Sequence, residues 1–291
     1  MTLLVTGATG KFGNHVVETL LARGLAKDTA VSVRNPEQAG HFQTRGVDVR
    51  QGNFDDPASL NRAFAGVDRL LIISTDGDNP TRIRQHKTAV QAAQGAGVGF
   101  IAYTSIANAG SNPLGLAEVH RATEAAIRAT GIPFAFLRNN WYLENETGFI
   151  QTALAGAPIV TSAGQGKVGW ALRADYAEGA AAVLAGNGHE NTIYELSGPL
   201  STYDDFAAAL SQVLGNKVHV THVDDTAYGE RLAGAGFPDF LASMFVSMAR
   251  DIRGGALAVT SNDFPKLLGR PVTPLPEALQ KLVDQLRSKA S

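Results

Sequence analysis

Three glycines at three-residue spacing near the start of the chain are suited to hold a phosphate-bearing ligand. The stretch Gly7-Ala8-Thr9-Gly10-Lys11-Phe12-Gly13 directly follows the apolar run Leu3-Leu4-Val5 and opens a segment of helical periodicity. In such a strand–turn–helix unit the first glycine permits the tight turn, the second lets pyrophosphate approach the backbone, and the third allows close helix–strand packing. The amide groups of the helix N-terminus then face the phosphates. We therefore predict that residues 7–12 bind a dinucleotide; the alternative is a turn with a structural role only.

The residue after the second predicted strand discriminates between the two nicotinamide dinucleotides. Units that bind NAD usually carry a carboxylate about 20 residues after the glycines, where it binds the ribose 2′-hydroxyl. Here Arg34 stands 21 residues after Gly13. A guanidinium binds a 2′-phosphate through two hydrogen bonds, and Lys11 offers a second positive charge. The sequence therefore favours NADPH over NADH; the alternative for Arg34 is an ordinary solvated side chain at a strand end.

The elements that must position these residues alternate between strand and helix through the first half of the chain. Apolar strand-like runs occur at residues 3–5, 30–33, 47–49, 70–73, 100–103 and 133–137. With amphipathic segments between them, such runs predict an α/β Rossmann fold, a doubly wound parallel sheet with helices on both faces.

After Arg138 the alternation changes and the chain becomes mostly helical. We predict that residues 1–140 form the NADP-binding domain, with later strands near 168–198 returning to it. Residues 141–167 and 199–291 are predicted to form a smaller substrate-binding lobe. Asp175, with Glu178 three residues later, is predicted to cap a helix.

Composition restricts the class of protein. The 291 residues are 44% hydrophobic and 18% charged, with a net charge of −2, which is typical of a globular protein without a basic surface for nucleic acid. The absence of cysteine excludes disulfides, thiolate catalysis and Cys-ligated metal. No apolar run has the length of a membrane helix and no signal peptide is visible. We expect a soluble, cytoplasmic protein without membrane insertion or bound metal; a homo-oligomer is left open.

Taken together, the motifs resemble the NmrA-like branch of the atypical short-chain dehydrogenase/reductase superfamily. Beyond the glycine loop and Arg34, the matching stretches are Phe100-Ile101-Ala102-Tyr103-Thr104-Ser105, Leu137-Arg138-Asn139-Asn140-Trp141-Tyr142-Leu143-Glu144-Asn145, Arg173-Ala174-Asp175-Tyr176 and Leu267-Leu268-Gly269-Arg270-Pro271. Within that branch the chain is similar to the bacterial quinone-reducing and triphenylmethane-dye-reducing members over nearly its whole length. The glycine loop is common to the superfamily, whereas the stretch 138–145 is more specific.

The resemblance implies an enzyme that transfers hydride directly from NADPH to a quinone or similar planar conjugated acceptor, without flavin or metal. Two alternatives remain: a reductase of another conjugated substrate such as a triphenylmethane dye, and a regulator that binds NADP(H) without turning it over. The implied cofactor contacts are Gly7, Ala8, Thr9, Gly10, Lys11, Phe12, Arg34, Phe54, Ser74, Thr75, Asp76, Ser105, Asn139, Asn140, Trp141, Tyr142, Leu143, Glu144 and Arg173.

No familiar motif identifies the catalytic acid. None of the six tyrosines precedes a lysine by four positions, so the Tyr-x-x-x-Lys pair of ordinary short-chain dehydrogenases is absent. His120 stands where related reductases carry a lysine, and it shares a predicted helix face with Thr123 and Ile127. Glu124, one helical turn on, is expected to pair with His120 and favour the imidazolium, a proton donor. The alternative is a structural histidine.

A quinone acceptor makes a strong acid dispensable. Hydride addition gives a hydroquinone anion, a phenolate with a pKa of about 10 like that of tyrosine. Hydrogen-bond donors placed at the developing oxyanion then suffice. We predict Asn139 and Tyr142 as catalytic residues beside His120, with Asn140 and Ser105 as further donors. Trp141 or Tyr142 is expected to stack on a flat acceptor, the alternative being packing within the lobe.

Overall fold

The computed structural model describes residues 1–290 of the chain. The strands are β1 (Leu3–Thr6), β2 (Thr29–Val33), β3 (Asp48–Gln51), β4 (Arg69–Ile72), β5 (Phe100–Ile106), β6 (Phe134–Asn139), β7 (Trp141–Tyr142), β8 (Ile159–Thr161), β9 (Trp170–Ala171), β10 (Thr192–Leu196) and β11 (Val220–His222). The helices are α1 (Lys11–Ala22), α2 (Gly40–Gln43), α3 (Pro57–Ala63), α4 (Asn79–Gly95), α5 (Ala117–Thr130), α6 (Thr147–Leu154), α7 (Arg173–Ala185), α8 (Tyr203–Leu214), α9 (Asp225–Gly234), α10 (Asp239–Arg253), α11 (Asp263–Leu268) and α12 (Leu275–Ala290). Short 3₁₀ turns occupy Ala26–Asp28, Pro36–Ala39 and Leu143–Glu146.

Seven strands form one sheet in the order β10-β6-β5-β4-β1-β2-β3. All neighbouring pairs in it are parallel. The chain runs outward from β1 in one direction through β2 and β3 and in the other through β4, β5 and β6. Ligands of doubly wound sheets bind beyond the carboxyl ends of the strands at such a reversal. The predicted Rossmann sheet is confirmed.

Helices cover both faces of this sheet, which explains why its central strands are apolar throughout. Along β1, Leu3 and Val5 belong to one buried cluster, which includes Val16 of α1 and Tyr176 of α7. Leu4, pointing the opposite way, belongs to a second cluster formed with α3, α4 and α5. A third cluster joins α8, α10 and α12.

Local signals account for several helix ends. Asp56 caps α3 by accepting from the amides of Ala58 and Ser59, with Pro57 in the first helical position. The predicted start of α7 was wrong: the helix begins at Arg173, and Asp175 lies in its first turn. Asp175 instead accepts hydrogen bonds from Arg270 and Thr273, which belong to the segment before α12.

Two small parallel sheets, β7 with β9 and β11 with β8, lie outside the main sheet. The strand β10 is an edge strand of the main sheet and pairs with β6. The division into two lobes remains a prediction. Among the described helices none is long and apolar enough to cross a membrane.

Candidate functional site

The glycine loop joins β1 to α1 in a conformation that requires its glycines. Gly7 has φ +62°, in the left-handed region that favours glycine. A Cβ on Gly13 would overlap the carbonyl oxygen of Gly7 and come within 2.8 Å of the Ala8 Cα. The N-cap of α1, Gly10, offers no side-chain hydrogen bond, and the first turn carries no acidic residue. The uncapped, positive end of α1 therefore remains available to an anion.

Hydrogen bonds of Thr6, at the end of β1, join the end of β4 to this loop. The Thr6 hydroxyl donates to the Leu71 carbonyl at 3.1 Å and accepts from the Ile73 amide at 2.9 Å. This places Ile73, which leads into the predicted contacts Ser74, Thr75 and Asp76, within 3.9 Å of where a Cβ on Gly7 would stand. The predicted cofactor contacts after β1 and β4 thus lie together at the carboxyl edge of the sheet.

On the other side of β1, the Gly7 amide donates to the Ser32 carbonyl at 3.1 Å. Arg34 follows β2 directly, its side chain is exposed, and within residues 1–290 no carboxylate lies in ion-pair distance of it. Phe54, after β3, is half-buried, with its ring centroid 6.5 Å from that of His86. Arg34 is therefore free to meet a phosphate group at the end of β2.

The segment after β6 reaches the glycine loop through Tyr142. The Tyr142 ring stacks on Phe12 of α1, with ring centroids 5.9 Å apart and planes at 29°. The Arg173 guanidinium lies 5.2 Å from the centre of the same ring, and the Asn139 amide donates to the Tyr142 hydroxyl at 3.0 Å. Burial raises the pKa of Tyr142 to about 12. The hydroxyl thus stays protonated near neutral pH and keeps its hydrogen as a donor.

Glu144 joins this segment to α7. Both carboxylate oxygens accept from the Arg173 backbone amide, at 2.9 and 3.0 Å. Glu144 therefore caps the positive end of α7 across 29 residues of chain. Leu143, by contrast, is fully buried in the cluster of the C-terminal helices, so only its backbone can face a ligand.

Two of the four predicted oxyanion donors have no hydrogen to spare. The Ser105 hydroxyl donates to Glu124 at 2.6 Å. The Asn140 amide donates to the Ser197 hydroxyl at 3.0 Å and to the Leu257 carbonyl at 2.9 Å. Asn139 and Tyr142 each retain one hydrogen, which makes them the better-placed donors of the set.

His120 is buried on α5, as its helix face predicted, but the expected pairing with Glu124 was wrong. Glu124 instead binds Arg138, at 2.7 Å, in addition to Ser105. His120 Nδ1 shares a hydrogen bond of 2.9 Å with the Tyr103 hydroxyl. Burial, reinforced by the charge of Arg82, lowers the pKa of His120 to about 3. The imidazole is therefore neutral at physiological pH and cannot serve there as an imidazolium acid.

Around His120 lies a polar cluster that sequence patterns did not identify, made of Arg82, His86, Tyr103 and Thr123. The Thr75 amide donates to His86 Nε2 at 2.9 Å, so the proton of this neutral imidazole resides on Nδ1. Nδ1 lies 2.8 Å from the Thr123 hydroxyl, which donates to the Val119 carbonyl. No local motif links these residues, because α4, β5 and α5 each contribute only one or two of them.

Glu146 was likewise missed. Its Oε1 accepts from the indole N–H groups of Trp141 and Trp170, both at 3.0 Å, and from the Tyr203 hydroxyl at 3.3 Å. These are the only tryptophans of the chain. Trp141 is thereby held in the cluster of the C-terminal helices, while its neighbour Tyr142 packs toward α1. Stacking of the Trp141 ring on an acceptor is thus not favoured by this arrangement.

A cavity of about 1200 Å³ opens at Gly10 and Lys11 and runs between α7 and α12. Glu144 and Arg173 line it, whereas Arg34, Phe54 and Ser74 do not. Only the edge of the predicted cofactor site therefore borders this cavity. In residues 1–290 no group of three or more His, Asp or Glu side chains is arranged to hold a metal ion.

Comparison with known proteins agrees with this architecture. The model of the NmrA-like family matches residues 1–253. Quinone oxidoreductase 2 of Escherichia coli is 38% identical over 281 residues, covering 96% of this chain and 98% of that protein. Its structure as an NADPH-dependent quinone oxidoreductase complexed with NADPH superposes with a TM-score of 0.91, over 96% and 99% of the two chains.

A second similar structure is that of Citrobacter sp. triphenylmethane reductase complexed with NADP(H). It is 41% identical, with a TM-score of 0.91 over 96% of this chain and 99% of that one. The family match extends over most of the chain, and both relatives are similar along nearly their whole length. The chain belongs to the NmrA-like family.

Proposed function

We propose that the protein is an NADPH-dependent reductase that transfers hydride directly, without flavin or metal, to a quinone or similar planar conjugated acceptor. The observation that carries this proposal is the stacking of Tyr142 on Phe12, which brings the segment of the predicted catalytic residues Asn139 and Tyr142 against the glycine loop. The similarity to an NADPH-dependent quinone oxidoreductase over nearly the whole chain supports it. The cysteine-free composition suits a reducing cytoplasm, which we propose as its location.

The residues present fit NADPH in three respects. The N-terminus of α1 is uncapped and approached closely only because Gly13 lacks a side chain. Arg34 is exposed at the end of β2, where a 2′-phosphate would require a cation. The Asn139 Oδ1 is buried and has no hydrogen-bond partner, so it can accept from an amide such as that of nicotinamide.

When bound, NADPH supplies a hydride, which reduces the acceptor by two electrons and leaves NADP⁺. The protein's own contribution is to position and polarise the acceptor. The Tyr142 hydroxyl and the remaining Asn139 hydrogen are donors for the acceptor oxygen that gains negative charge. His120, held neutral against Tyr103, orders the neighbouring polar cluster without acting as a strong acid. Solvent provides the single proton that, together with the transferred hydride, completes the hydroquinone.

Steady-state oxidation of NADPH, followed at the nicotinamide absorbance with benzoquinone as acceptor, tests this proposal. We expect turnover with NADPH and much slower turnover with NADH at equal concentration. Tight binding of NADPH without turnover across several quinones would refute the enzymatic function and favour an NADP(H)-binding regulator.

The similarity to triphenylmethane reductase supports a second candidate acceptor class. Decolorisation of malachite green by the same protein and NADPH measures it. Faster reduction of the dye than of benzoquinone would make the dye-like class the better description of the acceptor.

A further inference from the structure

Arg82 on α4 lies beside the end of β4 with most of its hydrogen-bonding capacity unused. One guanidinium nitrogen donates to the Ser74 hydroxyl at 2.8 Å. The Nε is buried and has no hydrogen-bond partner. Among residues 1–290 no carboxylate lies within ion-pair distance of this guanidinium, and Asp76 acts on it only at longer range.

The contrast with Arg138 indicates how unusual this arrangement is. Arg138 is also half-buried, but its guanidinium is clamped by Glu124 at 2.7 Å and by Glu195 at 3.0 Å. A buried charge without a partner is costly, so proteins usually pair or solvate it. Arg82 retains its charge in a partly buried position, and within residues 1–290 the Ser74 hydroxyl is the only group that accepts a hydrogen bond from its guanidinium.

The surroundings of Arg82 do not neutralise it. The nearby His86 and His120 both have their pKa lowered to about 3, with burial as the main cause and the Arg82 charge as a further one. Burial raises the pKa of the neighbouring Tyr103, which therefore stays protonated. Arg82 is thus a lone cation among neutral polar groups at the carboxyl edge of the sheet, beside the predicted cofactor contact Ser74.

We propose that Arg82 and Ser74 form an anion-binding subsite that selects acceptors carrying negative charge over neutral and cationic ones. The inference rests on the proposed reductase function, because the acceptor is the ligand for which the subsite is assigned. A guanidinium donates two parallel hydrogen bonds to the oxygen pair of a carboxylate or sulfonate and stabilises it more than a neutral donor does. The same charge repels a cationic dye.

The experiment compares wild type, Arg82→Gln and Arg82→Lys with naphthoquinone, a naphthoquinone sulfonate and malachite green. Loss of one charged hydrogen bond corresponds to about tenfold in affinity or rate. We expect Arg82→Gln to lower kcat/KM for the sulfonate by about tenfold more than for naphthoquinone. It should raise kcat/KM for the dye, and Arg82→Lys should retain most of the preference for the sulfonate.

Arg84→Gln is the matched control, since Arg84 lies on the same helix but is exposed and paired with Asp55 at 2.7 Å. Calorimetric binding of the sulfonate to the protein with NADP⁺ provides a readout that needs no turnover.

The subsite would be overturned by equal losses of kcat/KM in Arg82→Gln and Arg84→Gln, or by equal losses for both quinones in Arg82→Gln. Sulfonate binding that depends on Arg82 without turnover would support the subsite and refute the reductase function. Turnover without a preference for negatively charged acceptors would support the reductase function and refute the subsite.

Discussion

At Glu146, burial and hydrogen bonding act on the pKa of the carboxyl in opposite directions. Burial raises its pKa from 4.5 to about 7, although the hydrogen bonds from Trp170, Tyr203 and Trp141 lower it. The folded protein therefore holds the proton more tightly than the unfolded chain. Below the pKa that Glu146 has in the unfolded chain, its ionisation does not change the free energy of unfolding with pH. As the pH rises from that pKa to the pKa in the folded protein, the free energy of unfolding falls by about 3 kcal/mol in all.

The variant Glu146→Gln removes that ionisation and keeps an oxygen acceptor for the two indoles. We expect its free energy of unfolding, relative to wild type, to increase by up to about 3 kcal/mol between about pH 5 and pH 8. Urea unfolding followed by tryptophan fluorescence measures this, since Trp141 and Trp170 report directly on the site. The exposed Glu37 offers the control Glu37→Gln. Parallel pH curves for Glu146→Gln and wild type would contradict the assignment.

Arg34 is the residue to which we assign the preference for NADPH over NADH. Replacement by aspartate converts a donor for the 2′-phosphate into a repelling charge, whereas the same carboxylate can accept from a 2′-hydroxyl. We expect Arg34→Asp to weaken the binding of NADPH by about 2–3 kcal/mol and to change the binding of NADH far less. Titration of the reduced nucleotides by fluorescence measures both, with Lys217→Asp as a control of equal charge change. Equal losses for NADPH and NADH would remove Arg34 from phosphate recognition.

At the scale of the element, the close packing of α1 against the glycine loop is needed for the loop conformation that we propose binds phosphate. Gly13→Ala places a methyl group against the Gly7 carbonyl and Ala8. We expect a loss of stability of about 1–3 kcal/mol and a marked loss of NADPH affinity, because the loop must move. Gly95→Ala on α4 is the control: its Cβ would meet open space, so the same change should be neutral or slightly stabilising. Thermal unfolding and nucleotide titration of both variants test this.

The sequence was most informative where a signal is local. The apolar runs predicted the central strands within a few residues. His120 and Glu124 show the opposite case. Their helical spacing predicts a pair, but Arg138 of β6 provides Glu124 with a permanent charge at 2.7 Å. That contact depends on how α5 packs against the sheet, which no local pattern determines. The same holds for Arg82 beside Ser74 and for Glu144 at the N-terminus of α7.

Across the whole molecule, the candidate site depends on a two-residue strand that joins two hydrophobic cores. In β7, Trp141 packs toward the C-terminal helices and Tyr142 toward α1 and α7. Glu146 accepts a hydrogen bond from the Trp141 indole, and Phe12 stacks on the Tyr142 ring. The position of Tyr142 therefore depends on packing in both cores.

The central claim is that this assembly passes hydride from NADPH directly to a planar acceptor. A single-turnover mixing experiment tests it most directly: protein with NADPH deuterated at the transferring position of the nicotinamide ring, then benzoquinone, with no flavin added. We expect one hydroquinone per NADPH oxidised, with the deuterium transferred to the acceptor and lost from it only by exchange with solvent. We also expect a slower rate than with undeuterated NADPH. Bound NADPH that persists unoxidised in the presence of the quinone would contradict it.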